Sequence, residues 1–352
     1  MAHYLIMRLS AIGDVAMAVP VLYALARAYP AHRFTLLTQP FLTALLIDPP
    51  SNLEAMAIDI RREERHLSGL VRYADRLRRE HFDAVIDLHA VLRTRLLGWS
   101  LRLSGVPVRT LSKPRRQRRR FVARPPSKDL TPLPSMLELQ RQTLGLLGLE
   151  LPQQLPPITI DPRRIESLAE EHPELAPLLD KPLIGIAPFA STEAKTYDLS
   201  LMEQVVAQLS LRDDCRLLLF GGRGREEKLL SLWQERYPHV HSVAGRLELS
   251  QELTLISRLR CMLSMDSANM HFASMVGVRV LSLWCSTHPS AGFLGLGQSL
   301  EDCLQPNLSC RPCSIFGRVK ACLCGDFPCR RTVSSHEIIR RIEGVLSSPH
   351  LS

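Results

Sequence analysis

Short apolar runs alternate with helical patterns along the first half of the chain. Three runs have the length and composition of buried strands: residues 4–7, 34–38 and 84–88. After the first run, Val15, Val19 and Leu22 recur at the spacing of one helical face. Two later segments also have a helical pattern, residues 92–103 and 136–147. This alternation predicts a parallel sheet whose strands are joined by right-handed crossovers.

The second half of the chain repeats the alternation. Strands are predicted at residues 183–187, 216–220, 261–265 and 278–283. Helices are predicted between them, at residues 201–209, 226–237 and 249–259. A final helix is predicted over residues 334–346, where Ile338, Ile342 and Val345 lie on one apolar stripe. We therefore expect a second parallel sheet.

Two domains are expected, because 352 residues exceed what one hydrophobic core usually organises. We predict an α/β fold of two Rossmann-like domains whose parallel sheets face each other across a cleft. Proline-rich sequence from residue 149 to 157 indicates the boundary region. The predicted divisions are a first domain at 1–165, a linker at 166–182, a second domain at 183–330 and a C-terminal helix at 331–352 that packs on the first domain.

The charge balance favours polyanionic partners. Lys and Arg outnumber Asp and Glu by 44 to 35, and the excess is concentrated at residues 115–120 and at Arg61 and Arg62. No apolar run approaches the about 20 residues of a membrane span. The N-terminal apolar stretch is interrupted by Arg8 and Asp14, so we expect no signal peptide and a cytoplasmic protein.

Six of the nine cysteines are crowded near the C-terminus: Cys303, Cys310, Cys313, Cys322, Cys324 and Cys329. In a cytoplasmic protein such a cluster suggests metal binding more than disulfides. Only the first pair has CxxC spacing, and the pair at 322 and 324 does not fit a standard zinc ribbon. We expect reduced thiols in an ordered segment. The alternative is zinc bound by Cys310, Cys313, Cys322 and Cys329.

The loop after the first predicted strand contains the main candidate for catalysis. Gly13 permits a tight turn there, and Asp14 stands where the next helix opens. Open α/β proteins bind ligands at this edge of a parallel sheet. Asp14 could be a catalytic base, or it could only cap the helix, which is worth about 1 kcal/mol.

Three loops of the second half also follow predicted strands. The first, residues 187–195, is rich in small and hydroxyl side chains and ends in Lys195, which suits a diphosphate. The second, residues 220–225, is glycine-rich but does not complete a dinucleotide fingerprint. The third, residues 264–271, leads into a helix whose N-terminus can bind phosphate. Asp266 in this loop is expected to accept hydrogen bonds from backbone or sugar hydroxyls.

In combination these loops resemble glycosyltransferase family 9, the bacterial ADP-heptose:lipopolysaccharide heptosyltransferases. The matching positions are residues 8–14 with Pro20, the 188–195 loop, and the Asp-Ser-x-x-x-His pattern at 266–271. The resemblance implies a GT-B fold and an inverting, metal-independent transfer of a heptose or related sugar. The implied donor is an ADP-sugar, and the implied acceptor is a lipid A-core type molecule at the inner membrane surface, with no nucleic acid partner.

The resemblance also implies roles for individual residues. Asp14 would accept the proton of the attacking hydroxyl. The implied donor-binding residues are Ser191, Thr192, Lys195, Gly222, Glu226, Asp266, Ser267 and His271. The implied acceptor-binding residues are Arg8, Ser10, Arg61, Arg62, Arg118 and Arg120. No metal is implied for catalysis, because Lys195 and N–H dipoles would stabilise the departing diphosphate.

Two alternatives stay open from the sequence. The same chemistry could use a different nucleotide-sugar, since the residues do not specify the base. The other alternative is a non-catalytic module that binds nucleic acid and holds zinc at its cysteines. Against it, the basic stretch lacks interleaved aromatic residues, which are only 5% of the chain.

Overall fold

A computed structural model of the chain describes residues 1–348 and separates them into two compact units. The first unit comprises Met1–Pro114 and Pro134–Ile158. The second comprises Arg115–Leu133 and the described residues from Thr159 onward. Each unit has its own parallel sheet and its own core of buried side chains.

The strands and helices alternate along the chain. Those up to residue 145 are β1 His3–Met7, α1 Ile12–Ala28, β2 Arg33–Thr38, β3 Leu53–Ala57, α2 Leu67–Arg79, β4 Ala84–Asp87, α3 Leu92–Leu103, β5 Val108–Thr110, α4 Arg115–Phe121 and α5 Met136–Gly145. Those that follow are α6 Pro162–Glu171, β6 Leu183–Ala187, α7 Leu199–Leu209, β7 Arg216–Leu219, α8 Arg225–Arg236, β8 Val240–Ser242, α9 Leu249–Ile256, β9 Leu259–Met265, α10 Ala268–Met275, β10 Val280–Leu283, β11 Cys303–Leu304 and α11 Ser335–Ser347.

The first sheet has the strand order β3-β2-β1-β4-β5, with every pair parallel. Its central strand β1 is apolar and places Leu5, Ile6 and Met7 fully inside the unit. Met7 is in register with Leu37 on one side and with Asp87 on the other. The loops after β1 and β4 therefore leave the sheet side by side, which brings residues 8–14 close to residues 88–90.

The second sheet has the order β11-β10-β9-β6-β7-β8 and is also parallel throughout. Its middle strands β6 and β9 are adjacent, and Ala187 is in register with Ser264. The loop after β6 therefore starts beside the loop after β9. This register brings the 188–195 loop and the 264–271 loop to the same edge.

The predicted architecture of two α/β units with parallel sheets is confirmed. The apolar runs form β1, β2, β4, β6, β7, β9 and β10, with ends that differ by a few residues. Four short strands were not predicted: β3, β5, β8 and β11. These four are the edge strands of the two sheets. In β3, for example, only Leu53 is buried and Met56 is partly buried. Edge strands therefore give a weak apolar signal.

The predicted division of the chain differs from the observed one at three places. Helix α11 packs on α7 and β9 of the second unit, where Ile338, Ile342 and Val345 join the core. Residues 159–165, predicted in the first domain, and the linker predicted at 166–182 both belong to the second unit, in which α6 packs on α9. The stretch Arg115–Leu133 also belongs to the second unit. Positions 349–352 of the predicted C-terminal segment lie outside the described residues.

Within residues 1–348, none of the helices combines the length and the apolar character that crossing a bilayer requires.

Candidate functional site

In the first unit, polar side chains gather where β1 and β4 end. Arg8 follows β1 and is only 5% exposed, and its guanidinium donates to the Leu88 carbonyl at 2.5 Å. The same guanidinium forms an ion pair with the carboxylate of Asp14. The structure therefore places Arg8, a predicted acceptor-binding residue, against Asp14, the predicted base, inside one unit.

Asp14 is the third residue of α1 rather than its N-cap. Its Oδ2 atom accepts the backbone N–H of Ala11, the N-cap residue, at 3.2 Å. The carboxylate thus contributes to capping, as one reading of the sequence expected. Its side chain is 23% exposed, so it stays accessible while it is paired with Arg8. The geometry accommodates both roles, since capping holds the carboxylate in place.

The loop after β4 places His89 beside this pair. Asp87 is fully buried, and its Oδ1 atom accepts the N–H groups of His89 and Ala90 at 3.0 and 2.9 Å. Lys113 donates to the His89 carbonyl at 2.6 Å. These contacts hold the loop with Ala90 at a positive φ of 53°, an uncommon conformation for a residue other than glycine.

The His89 imidazole lies 3.4 Å from the Ser10 hydroxyl, measured from Nε2 to Oγ. Burial, assisted by the positive charges of Arg8 and Lys113, lowers the pKa of His89 to about 3. The ring is therefore neutral at physiological pH and can share a hydrogen bond with Ser10. Sequence reasoning missed His89. Its place two residues after β4, at the same sheet edge as Asp14, was the available signal.

The other predicted acceptor-binding residues of this unit, Arg61 and Arg62, lie on an exposed loop between β3 and α2. The Asp59 carboxylate accepts both of their backbone N–H groups, at 3.0 and 3.1 Å. The Arg61 guanidinium stacks over the Phe41 ring at 5.8 Å. Their side chains are thus positioned on the surface of the first unit.

In the second unit, the loops after β6, β9 and β10 converge on one carboxylate. Lys195 Nζ lies 3.0 Å from Asp266 Oδ2, and the two side chains are only 12% and 9% exposed. The Thr287 hydroxyl donates to the same oxygen at 2.8 Å. The structure therefore brings Lys195 and Asp266 together as a nearly buried ion pair. Thr287, which sequence reasoning missed, follows β10 and completes it.

The segment around residue 317 covers Lys195. Gly317 has a φ of +69°, and a Cβ atom there would lie 2.2 Å from the Cγ of Lys195 and 2.7 Å from the hydroxyl of Thr192. Only glycine fits this close approach. The Cys-rich segment therefore packs closely against the Lys195 side chain and restricts the direction of its ammonium group. No pattern in the sequence predicted this contact.

The N-terminus of α10 adds backbone N–H groups to the same site. Ser267 is the N-cap residue, and its hydroxyl pairs with that of Ser264 at 3.1 Å instead of capping the helix. His271 is buried one turn further on, with 6% exposure. The Ser267 hydroxyl therefore does not cap the first N–H groups of α10. A helix N-terminus of this kind favours the binding of an anion.

The remaining predicted donor residues lie in two other loops of the second unit. Ser191 is exposed at the tip of the β6 loop, next to Thr192. After β7, the Glu226 carboxylate folds back and accepts the Gly222 N–H at 2.7 Å. Oε2 of Glu226 makes this bond, so Oε1 faces a different direction and could accept from a hydroxyl.

Helix α4 is anchored within the second unit, whereas the sequence suggested the acceptor domain. Phe121 is fully buried and packs edge-on against the His288 ring. The Arg118 guanidinium lies against the rings of both Phe293 and Phe316, 5.3 and 5.6 Å from their centroids. Arg120 is exposed. Arg118 thus supports the helix, while Arg120 faces solvent.

The C-terminal cysteines do not form a recognisable metal centre among residues 1–348, where no set of three or more His, Cys, Asp or Glu side chains is placed to hold an ion. Burial raises the pKa of Cys313 and, to about 11, that of Cys329. These thiols are therefore protonated at physiological pH. The zinc alternative for Cys310, Cys313, Cys322 and Cys329 has no support from these contacts.

A family model described as glycosyltransferase family 9 (heptosyltransferase) matches residues 70–320, more than half of the chain. The chain belongs to this family. It is therefore a glycosyltransferase, and the alternative of a non-catalytic nucleic-acid-binding module is not retained. The comparison with curated proteins found no match.

Solved structures with the same fold include three enzymes of similar length. Glycosyl transferase family 9 from Veillonella parvula is 17% identical with a TM-score of 0.74, and the match covers 98% of this chain and 97% of that one. E. coli ADP-heptose LPS heptosyltransferase II is 17% identical with a TM-score of 0.72, covering 98% of both chains. E. coli heptosyltransferase WaaC with ADP is 14% identical with a TM-score of 0.65, covering 97% of both. At these identities they establish the GT-B fold of this glycosyltransferase.

Proposed function

We propose that this glycosyltransferase transfers a heptose, or a related sugar, from an ADP-sugar to a lipopolysaccharide inner-core acceptor. Family membership supports sugar transfer, and two structural neighbours carry ADP-heptose or ADP in their descriptions. The observation that carries the chemistry is the Asp14 carboxylate at the sheet edge of the first unit, paired with buried Arg8.

The reaction is a single displacement at the anomeric carbon with inversion. The acceptor hydroxyl oxygen forms the new bond to that carbon as the bond to the diphosphate oxygen breaks. The hydroxyl proton passes to Asp14, which acts as general base. His89 and Ser10 lie beside Asp14 and would bind the acceptor, so that its hydroxyl meets the carboxylate.

Negative charge grows on the leaving diphosphate, and the second unit supplies fixed positive charge for it. Lys195, the hydroxyls of Ser191 and Thr192, and the N-terminus of α10 would bind its oxygens. Asp266 orients the Lys195 ammonium through their ion pair. With a lysine and backbone dipoles in place, the proposed reaction needs no divalent metal.

Glu226 and His271 complete the proposed donor site. One oxygen of Glu226 is held by Gly222, and the other would accept a ribose hydroxyl. A second nucleotide-sugar with the same diphosphate could use these contacts equally, so the base is the least constrained part of the donor.

The proposal is tested by incubating the enzyme with lipopolysaccharide inner-core acceptor and ADP-, UDP- or GDP-heptose. We expect transfer from the ADP-sugar, an inverted anomeric configuration in the product, and unchanged rates after treatment with EDTA. Transfer with retained configuration would contradict the single displacement. Loss of activity on chelation, restored by an added metal, would contradict metal independence.

A further inference from the structure

Helix α3 has two apolar faces, and the fold buries only one of them. The buried side consists of Thr94, Leu97, Gly98 and Leu101. The opposite side presents Leu92, Leu96, Trp99 and Leu103, which follow one another at helical intervals of four, three and four residues. We call these four side chains the α3 face. Leu92, Trp99 and Leu103 are 73%, 64% and 71% exposed, so the face is open to solvent.

The neighbouring helix α2 extends the apolar surface. α2 packs beside α3, and the Arg78 guanidinium donates to the Ser100 hydroxyl at 2.6 Å, which links the two helices. Leu67 and Val71 of α2 are 63% and 60% exposed. Large exposed side chains on two adjacent helices are more than the scattered single ones normal for a soluble protein.

Positive charge surrounds these apolar side chains. Helices α2 and α3 together contain seven arginines and one aspartate. Arg95 and Arg102 lie one turn to either side of Trp99 and are exposed. They also line a groove of about 260 Å³ between α3 and β5. An apolar stripe that contains tryptophan and leucine, bordered by arginine, has the composition of helices that lie on anionic bilayers.

We propose that the α2–α3 surface of the first unit docks this glycosyltransferase on an anionic lipid bilayer. The apolar side chains enter the boundary between headgroups and acyl chains, with Trp99 at headgroup level. The arginines bind the phosphates of anionic lipids. This inference rests on the proposed function for its purpose, since a lipid-anchored acceptor is presented at such a surface, but its physical basis is the surface itself.

A second copy of the chain does not suit this surface. A two-fold dimer through it would bring the seven arginines of one copy towards the same seven of the other, with one aspartate each to offset them. An anionic bilayer satisfies both the apolar side chains and the charges.

The test uses the fluorescence of Trp99. The other two tryptophans, Trp233 and Trp284, are each 1% exposed, so Trp99 is the one that can respond to lipid. The full chain is mixed with vesicles of phosphatidylethanolamine and phosphatidylglycerol, and with neutral phosphatidylcholine vesicles. We expect a blue shift and quenching by brominated lipid only with the anionic vesicles, and the response should weaken as salt is raised.

Two variants separate the contributions to binding. Trp99→Ser with Leu103→Ser should reduce vesicle binding in co-sedimentation at least tenfold, and so should Arg95→Glu with Arg102→Glu. Leu146→Ser is the matched control, because Leu146 is 61% exposed in the same unit and lies outside α2 and α3. Its binding should be unchanged. Circular dichroism melts should match the parent chain for Trp99→Ser with Leu103→Ser and for Leu146→Ser, since these side chains are exposed; Arg95→Glu with Arg102→Glu also loses the bond from Arg102 to the Val108 carbonyl, so its binding is compared at a temperature where its melt shows it folded.

Transfer to a water-soluble, de-acylated acceptor should be unchanged in these variants, which separates the surface from the proposed reaction. If no acceptor is glycosylated but Trp99 still enters anionic vesicles, the proposed function fails and the docking surface stands. Vesicle binding without a change in Trp99 emission would overturn the docking surface. So would a lipid-free dimer that dissociates when Trp99 is replaced, because a second copy would then be the occupant.

Discussion

Asp14 is held by two groups that act on different aspects of the carboxylate. The Ala11 N–H fixes its direction through a bond of 3.2 Å, and Arg8 stabilises its charge. A capping contact of this kind is worth about 0.5–2 kcal/mol to the helix. An aspartate that only capped α1 would not need a buried arginine against it. Arg8 is itself tied to the chain by the Leu88 carbonyl, so the pair is rigid.

In the second unit, Lys195 is also held in an ion pair, because its ammonium group contacts the Asp266 carboxylate. Replacing Lys195 with methionine removes the proposed charge opposite the leaving diphosphate and should lower kcat by about 100- to 1,000-fold. It also leaves Asp266 nearly buried without its cation, which should cost about 3–5 kcal/mol of stability. Steady-state kinetics and thermal unfolding measure the two effects.

The double variant Lys195→Met with Asp266→Asn separates stability from catalysis. It removes both charges, so the unfolding temperature should recover most of the loss seen in Lys195→Met, while kcat stays low. Lys181→Met in the same unit serves as the control, because the Lys181 ammonium donates to the backbone carbonyl of Asp213, away from the proposed donor site. Recovery of kcat in the double variant would show that Lys195 has a structural role alone.

At the scale of elements, the buried central strands were predictable and the edge strands were not. β6 is a continuous apolar run and β9 is mostly apolar, interrupted by Arg260 and Ser264, as expected for central strands of a parallel sheet. β3 has one fully buried residue in five, so its sequence resembles a loop. The stripe of Ile338, Ile342 and Val345 predicted α11 correctly, but a stripe indicates that a face is buried and not which neighbour covers it.

Helix α4 shows the same limit for charged residues. Its run of arginines predicted an exposed basic element, and five of its seven residues are indeed exposed. The contacts that assign it to the second unit are made by Phe121 with His288 and by Arg118 with Phe293 and Phe316. These partners are more than 160 residues away, and no local pattern identifies them.

If the exposed arginines of α4 bind acceptor anions, reversing their charge should affect the acceptor alone. Arg119→Glu with Arg120→Glu should raise the acceptor KM about tenfold or more, which corresponds to about 1.4 kcal/mol or more of lost binding. The donor Kd, measured by calorimetry, should stay within twofold. Arg340→Glu on α11 is the control for net charge. An equal loss of donor affinity would place α4 at the donor instead.

For the whole molecule, the sheet rule explains which site residues could be predicted. Loops after adjacent parallel strands meet at one edge, so Asp14 in one unit and Lys195 with Asp266 in the other were accessible from the pattern of strands. His89 and Thr287 obey the same rule and were overlooked as single polar residues. The approach of Gly317 to Lys195 depends on an irregular segment, for which periodicity gives no information.

Each unit also contains a histidine that is kept neutral by burial, which makes stability depend on pH. The pKa of His89 is lowered to about 3 and that of His288 to about 4 from an ordinary value near 6.5. Between these values the unfolded chain binds more protons than the folded one, so stability falls as pH drops below 6.5. Each histidine should contribute a loss of about 1–2 kcal/mol between pH 7.5 and pH 5.

Chemical denaturation at several pH values measures this loss. His288→Asn should reduce the pH dependence of stability, because asparagine does not titrate. The fold should be kept, because the asparagine carbonyl can accept the Ser290 N–H as the imidazole does at 3.1 Å. His336→Asn is the control, since His336 is exposed on α11. A pH dependence that is the same in both variants would mean that His288 is already charged in the folded protein.

The central claim is that Asp14 is the base, and Asp14→Asn tests it most directly. The asparagine oxygen can still accept the Ala11 N–H, so the cap is kept while the basic oxygen is lost. Asp161→Asn, at the N-cap of α6, is the matched control with full activity. We predict that transfer by Asp14→Asn falls at least about 100-fold with donor affinity unchanged. Transfer above a tenth of the parent rate would contradict the account.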